Sequence, residues 1–276
     1  MILRLACVQP NAKPDLGANL DEVEHWIRAA HADGAGFIAT PENTSGMYAS
    51  RPALMAAALP EEGHPAIARF SALAETTGVW LLAGSITIRL TNEKLANRGL
   101  LFDPRGRVVA RYDKIHMFDA DPSDGQAYRE SATYEPGDKA VVAETDFGKV
   151  GLSICYDVRF PALYNALAQA GATLITVPAA FTVPTGKAHW HVLLRARAIE
   201  TGAFIVAPGQ TGEHAGGRFT YGHSLIVAPW GEVLADGGEG EGFVAADCDM
   251  ERVTKARTMI RSLRHGRPFA TVLSNA

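Results

Sequence analysis

The sequence predicts an α/β fold in which two mixed sheets pack within one domain. Short apolar runs alternate with helix-length amphipathic segments along the whole chain. Two Pro-x-Gly turns, Pro104-Arg105-Gly106 and Pro229-Trp230-Gly231, break that alternation with hairpins, which a purely parallel sheet does not contain. The length of 276 residues suits one large core, because single cores stop growing at about 250–300 residues. No linker rich in Pro, Ser or Gly divides the halves, so residues 1–276 read as a single domain.

Each element has its own local reason. Residues 2–9 are a continuous apolar run and predict a buried strand. Residues 19–32 (NLDEVEHWIRAAHA) carry the helical period and stop at Gly34. Residues 36–40 form a short strand ended by Pro41. Residues 64–77 read as a helix closed by Gly78, and 79–88 as the next strand. Residues 97–103 and 107–112 flank the first hairpin turn. The second half repeats the theme. A strand at 149–155 leads to a helix at 161–170, with Pro at its first turn and Gly171 after it. A strand at 172–177, a helix at 189–201 ended by Gly202 and a strand at 203–207 follow. Residues 224–228 and 232–235 flank the second hairpin turn, 241–248 is a late strand, and 250–263 a basic helix before an irregular tail.

Composition narrows the function. With 26 Lys+Arg against 30 Asp+Glu, the formal charge is −4, which argues against a nucleic-acid surface and leaves a small molecule as the expected partner. The three cysteines, Cys7, Cys155 and Cys248, lie far apart with no CxxC or Cys/His spacing, so neither a disulfide scaffold nor a zinc module is expected. The opening residues are too short for a signal-peptide apolar region, and no apolar stretch reaches the roughly 18–20 residues that span a bilayer. A reduced, cytoplasmic protein without membrane contact is the expectation.

Sites in such sheets form beyond the carboxyl ends of strands. Glu42 and Lys114 follow predicted strands, and Cys155 ends one and precedes a Pro-capped helix in a strand–turn–helix setting that exposes a side chain. A thiol of ordinary pKa, about 8.5, is mostly protonated at neutral pH and needs a base or a cation nearby. Glu42 suits the base, with its pKa raised by partial desolvation. Lys114 suits the stabilisation of a thiolate and of a tetrahedral oxyanion, with the backbone N–H of Tyr156 as a second donor. Such a set attacks a carbonyl carbon and passes through a thioester.

These residues carry a resemblance. Glu42, the segment YDKIHMFD around Lys114 and the segment SICYDVRFP around Cys155 together resemble the nitrilase, or carbon–nitrogen hydrolase, superfamily. The likeness runs from residues 6–10 to Arg267-Pro268-Phe269. It implies a four-layer αββα sandwich of two mixed six-stranded-type sheets, pairing into a homodimer, and a Glu–Lys–Cys triad of Glu42, Lys114 and Cys155 without cofactor. It also implies a second glutamate, matched here by Glu130 in Arg129-Glu130-Ser131, holding the Lys114 ammonium. The stretches CYDVRFPALYNALAQAGA, PAAFTVPTGKAHW and LLRARAIE resemble the branch that contains deaminated glutathione amidase and ω-amidase. That branch implies an amide next to an α-keto acid, with Arg159 gripping its carboxylate bidentately and Thr185 adding a hydroxyl.

Other functions are expected to lose. Nitrile hydrolysis ranks further behind, and a non-catalytic binding or scaffold protein would keep the fold, but all four family positions hold chemically competent residues. His189 and His191, two apart on a helix, face different ways and do not predict a metal site; His116 and His223 read as hydrogen-bonded structural residues. The basic run from Arg252 to Arg267 reads as a solvated helix face or as tail packing at residues 250–276 across a dimer. The acid-rich loop 119–126 and the segment 42–48 depart from close relatives and are expected at the pocket mouth.

Overall fold

The computed structural model describes residues 1–121 and 127–273. The first half runs β1 (Ile2–Gln9), α1 (Leu16–Ala32), β2 (Phe37–Ala39), α2 (Arg51–Ala57), α3 (Pro65–Thr77), β3 (Trp80–Arg89), β4 (Leu95–Phe102), β5 (Val108–Asp113) and the two-residue strands β6 (Asp119–Ala120) and β7 (Tyr128–Arg129). The second half runs β8 (Val141–Thr145), β9 (Gly148–Leu152), α4 (Pro161–Gln169), β10 (Leu174–Thr176), α5 (Val183–Thr185), α6 (His191–Thr201), β11 (Phe204–Ala207), β12 (Thr211–His214), β13 (Arg218–Tyr221), β14 (Leu225–Val227), β15 (Val233–Asp236), β16 (Gly242–Asp249), α7 (Glu251–Met259) and α8 (Ser262–His265).

Two six-stranded mixed sheets result, with orders β16-β1-β2-β3-β4-β5 and β15-β14-β11-β10-β9-β8. The inner strands β2 and β3 of the first sheet are apolar on both faces, and alternate residues enter different cores because side chains on a strand point to opposite sides. Ala6, Val8, Ile38, Leu81 and Ala83 meet Val23 and Ile27 of α1 and Phe70 and Leu73 of α3. Leu5, Cys7, Phe37, Ala39 and Leu82 face the other way, into a core shared with Val150, Leu174, Ile205 and Ile226 of the second sheet. Leu163 and Leu167 of α4 and Leu194 and Ala198 of α6 belong to that same core. The predicted four-layer arrangement of helices, two sheets and helices is therefore present. Among the described residues no helix is long and apolar enough to cross a membrane.

Several boundaries differ from the sequence reading. Helix α1 starts a turn early because Asp15 caps it, accepting from the Ala18 N–H at 2.7 Å. The strand read as 149–155 ends at Leu152, and Cys155–Arg159 form a separate 3₁₀ turn. Helix α6 begins at His191, after a π-helical turn at Gly186–Trp190. The basic helix breaks at Ile260 into α7 and α8. Its face is not wholly solvated either: Arg257 reaches inward and donates to the carbonyls of Thr201 (3.0 Å) and Ala172 (2.6 Å). The edge strand β8, the short helix α2 and the β12–β13 hairpin have no counterpart in the sequence reading. The late strand β16 returns to the first sheet, antiparallel to β1.

Candidate active site

Glu42, Lys114 and Cys155 come from three separate connections and meet at the base of one cavity of about 330 Å³. Glu42 lies just beyond β2. Its approach depends on Gly84 of β3, where a Cβ would fall 1.9 Å from the Thr40 carbonyl oxygen, so only glycine lets the two backbones close. Lys114 follows β5, its N–H donating to Asn97 O at 3.0 Å and its carbonyl accepting from Gly137 N at 2.8 Å. Gly137 has no room for a side chain there, because a Cβ would sit 2.2 Å from Asp113 O.

Cys155 adopts a left-handed conformation, φ +50°, unusual for a residue with a side chain. Its N–H donates to Pro178 O at 2.8 Å, which ties the turn to the end of β10. The buried Asp157 fixes the same turn from below. Its Oδ2 accepts from Ile154 N (2.8 Å) and from the Tyr112 hydroxyl (2.6 Å), while its Oδ1 accepts from His116 N (3.1 Å) and pairs with His116 Nδ1 (2.7 Å). One carboxylate thus joins the turn bearing Cys155 to the segment bearing Lys114. Strain at the nucleophile persists because the surroundings over-determine it.

The ammonium of Lys114, 2% exposed, lies 2.9 Å from Glu42 Oε1 and 2.9 and 2.8 Å from the two oxygens of Glu130. Asn97 Nδ2 donates to both carboxylates, at 2.9 Å to Glu42 and 3.3 Å to Glu130. Glu42 Oε2 accepts from the Ala180 N–H at 3.0 Å, and Glu130 Oε2 from Phe118 N at 2.7 Å. Gln210 Nε2 holds the Glu42 carbonyl at 3.0 Å. The second glutamate therefore sits where the resemblance placed it, on the lysine.

Electrostatics correct one expectation. Burial pushes the Glu42 carboxyl up, but the Lys114 charge and hydrogen bond outweigh it, so the group lies below the usual carboxylate range rather than above it. Burial alone would lower Lys114, yet Glu130 and Glu42 hold it well above the ordinary lysine value. Cys155 is pushed well up by burial and by the adjacent Glu42 charge, with Lys114 opposing. The resting state is a carboxylate accepting from a neutral thiol beside an ammonium. Such a pair can pass the sulfur proton to Glu42 as the sulfur attacks, rather than beforehand.

The three cysteines separate clearly. Burial pushes the Cys7 thiol up and that of Cys248 to about 12, and both are wholly inaccessible. Cys155 is 8% exposed, opens on the cavity and has a base beside it. Iodoacetamide is expected to label Cys155 before either of the others, read as peptide mass after timed quenching. Equal labelling of all three would remove the case for a primed thiol.

Arg159, Thr185 and Tyr156 line the same cavity. Arg159 does not pair with Asp157. Its guanidinium lies 5.9 Å from the Tyr156 ring centre and 5.4 Å from that of Phe181, with Nη2 3.3 Å from His189 Nδ1. Thr185 Oγ1 lies 2.9 Å from Thr182 Oγ1. His189 and His191 do point apart, since His191 meets Asp236 at 2.9 Å and Asp236 also meets His223 at 2.9 Å. Those last three side chains lie close enough together to hold a metal ion, which the sequence reading did not foresee. Residues 122–126 of the acid-rich loop lie outside the described residues. Of the segment 42–48, Met47 and Tyr48 line the cavity as expected.

Comparison with known proteins gives the family. The carbon-nitrogen hydrolase family profile matches residues 4–258. The chain belongs to the carbon–nitrogen hydrolase family. This hydrolase is 42% identical to a deaminated glutathione amidase of Synechocystis, over 94% of its own length and 96% of the relative's. It is 36% identical to the ω-amidase NIT2 of Xenopus tropicalis, over 95% of each. Its fold superposes on the NitFhit protein of C. elegans with a TM-score of 0.89 and 32% identity, covering 96% of this chain and 65% of that longer one. Asn97, Ala180 and Gln210 escaped the sequence reading: each is a lone donor on a remote strand or loop, with no local signature.

Proposed function

We propose that this hydrolase cleaves the C–N bond of a small carboxylate-bearing amide, deaminated glutathione in the first place, through a thioester on Cys155. One observation carries the reading. A thiol, an ammonium and a carboxylate converge in a cavity also lined by Arg159 and Arg218, neither of which pairs with a carboxylate among the described residues. Glu42 takes the proton of Cys155 as the sulfur attacks the carbonyl carbon. Lys114, held by Glu130, and the N–H of Tyr156 stabilise the oxyanion. Protonated Glu42 returns its proton to the nitrogen, the amine departs, and a thioester remains. Glu42 then deprotonates a water that attacks the thioester, releasing the acid and restoring the thiol. Arg159 and Thr185 orient the acyl-side carboxylate.

Likeness to the Xenopus enzyme supports ω-amidase activity on α-ketoglutaramate-like amides as the second reading. Amine or ammonia release over a panel of peptide-extended α-keto amides, short α-keto amides and simple nitriles separates the two. Turnover is expected to be fastest on the peptide-extended amides; hydrolysis confined to nitriles would overturn the substrate class.

A further inference from the structure

We propose that Arg218 forms a second carboxylate subsite, on the leaving-group side of the scissile bond, where it receives the carboxylate that deaminated glutathione carries on its departing amine. The inference rests on the amide-hydrolysis reading above and assigns a specificity-determining residue to it.

Arg218 opens β13 and lines the cavity that holds Cys155. One edge of its guanidinium is used, Nη2 donating to Ala180 O at 3.2 Å, and one face lies over the Tyr128 ring at 5.3 Å. Its Nε is buried without a hydrogen-bond partner. Among the described residues Arg218 meets no carboxylate, whereas Arg98 is paired with both Asp113 and Glu61. A buried donor left unsatisfied costs about 1–3 kcal/mol, more when charged. Guanidinium cannot shed its proton to escape that cost. A fixed positive charge at a cavity wall with a free donor edge suits a carboxylate, which accepts such a fork in bidentate fashion.

Position assigns the side of the bond. Ala180 accepts from the guanidinium on its carbonyl and donates its N–H to Glu42 Oε2 at 3.0 Å, so a single residue separates Arg218 from the carboxylate that returns a proton to the departing nitrogen. The Arg218 charge is also among the influences holding the Glu42 carboxyl down. Arg159 instead closes the turn that Cys155 opens. The two arginines therefore stand on different elements, Arg159 on the turn that bears the nucleophile and Arg218 on β13 beside the residue that holds the base. The base of Arg218 is rigid as well. His214 bridges the hairpin by Nε2 to Thr220 Oγ1 at 2.7 Å and reaches Ala12 O by Nδ1 at 2.9 Å, and Asn11 Nδ2 donates to Glu213 O at 3.0 Å. A cation held in this way needs little reorganisation on binding.

The test uses the full chain and two amides with the same α-keto acyl part. In one, the leaving amine ends in a carboxylate; in the other, that carboxylate is replaced by a carboxamide of the same shape. A site built to bond a group discriminates strongly against the analogue lacking it, so the wild type should prefer the carboxylate form by about 100-fold in kcat/KM. In Arg218→Gln that ratio should collapse to about threefold, and in Arg218→Lys fall to an intermediate value, because the charge stays and the fork is lost. Arg159→Gln should depress both substrates alike and leave the ratio near its wild-type value. Equal losses on both amides in Arg218→Gln would make the arginine a mere brace for the Ala180 carbonyl and overturn the proposal, as would a wild type that does not distinguish the two. A wild type that cleaves neither amide, nor any other, would instead remove the hydrolytic reading beneath it.

Discussion

Cys155→Ala is expected to abolish amide turnover, by at least about 10⁴-fold, because the sulfur that forms the acyl intermediate beside Glu42 is removed and nucleophile deletions cost rates of this order. The fold should survive. The side chain is small, and alanine at φ +50° is strained to the same degree as cysteine, so the backbone penalty is unchanged. Glu42 loses the thiol as a donor but keeps Lys114, Asn97 and Ala180. The loss of stability should stay within about 1 kcal/mol, the range of substitutions that neither open a large cavity nor strand a charge. Amine release and thermal unfolding on the same preparation check both halves. Turnover persisting above about one per cent would mean that the sulfur is not the attacking atom.

The elements readable from sequence are those whose physics is local. Strands β1, β3 and β11 are buried on both faces and announce themselves as unbroken apolar runs, while α3 and α6 end in left-handed Gly78 and Gly202. Helix α2 buries no residue, so it has no apolar stripe to betray it. Strand β8 stands at a sheet edge and buries only Ala143, which weakens the periodic signal to nothing. The same division runs through the site. Glu42, Lys114 and Cys155 sit in recognisable segments, but their polarity is set by partners remote in the chain. Asn97 of β4 bonds to two carboxylates, Ala180 offers a peptide N–H that any residue but proline could supply, and Asp157 acts through four contacts with three other residues. The direction of the Glu42 shift was misread for this reason. Desolvation can be guessed from an apolar neighbourhood, whereas an ammonium in direct contact is decided by the fold, and at 2.9 Å the contact wins.

Lys114→Met should uncover that balance. In the native protein one ammonium separates two carboxylates, with Glu42 and Glu130 both within 3 Å of it, at 2.9 and 2.8 Å. Breaking a buried pair by removing one partner typically costs about 3–5 kcal/mol, because the charge left behind is neither hydrated nor compensated. Activity should fall by about 10²–10³-fold from loss of the oxyanion donor alone. The pH dependence should reverse. In the wild type, Glu42 lies below its unfolded value, so its contribution is present above about pH 4.3 and lost as the pH falls through its folded pKa. Lys114 lies above its unfolded value, so its contribution is present below about pH 10.4 and lost as the pH rises through its folded pKa. Between these limits the wild-type pair is indifferent to pH. Without the ammonium, burial and mutual repulsion raise a carboxyl above its unfolded pKa, and a group shifted that way stabilises the fold when protonated. Urea unfolding should therefore show the variant's deficit relative to the wild type shrinking from pH 7.5 to pH 5.5, while His64 and His214, whose burial holds their pKa values down, cost both proteins stability alike as the pH falls. A deficit of equal size at both pH values would mean that the two carboxylates do not depend on Lys114 for their charge.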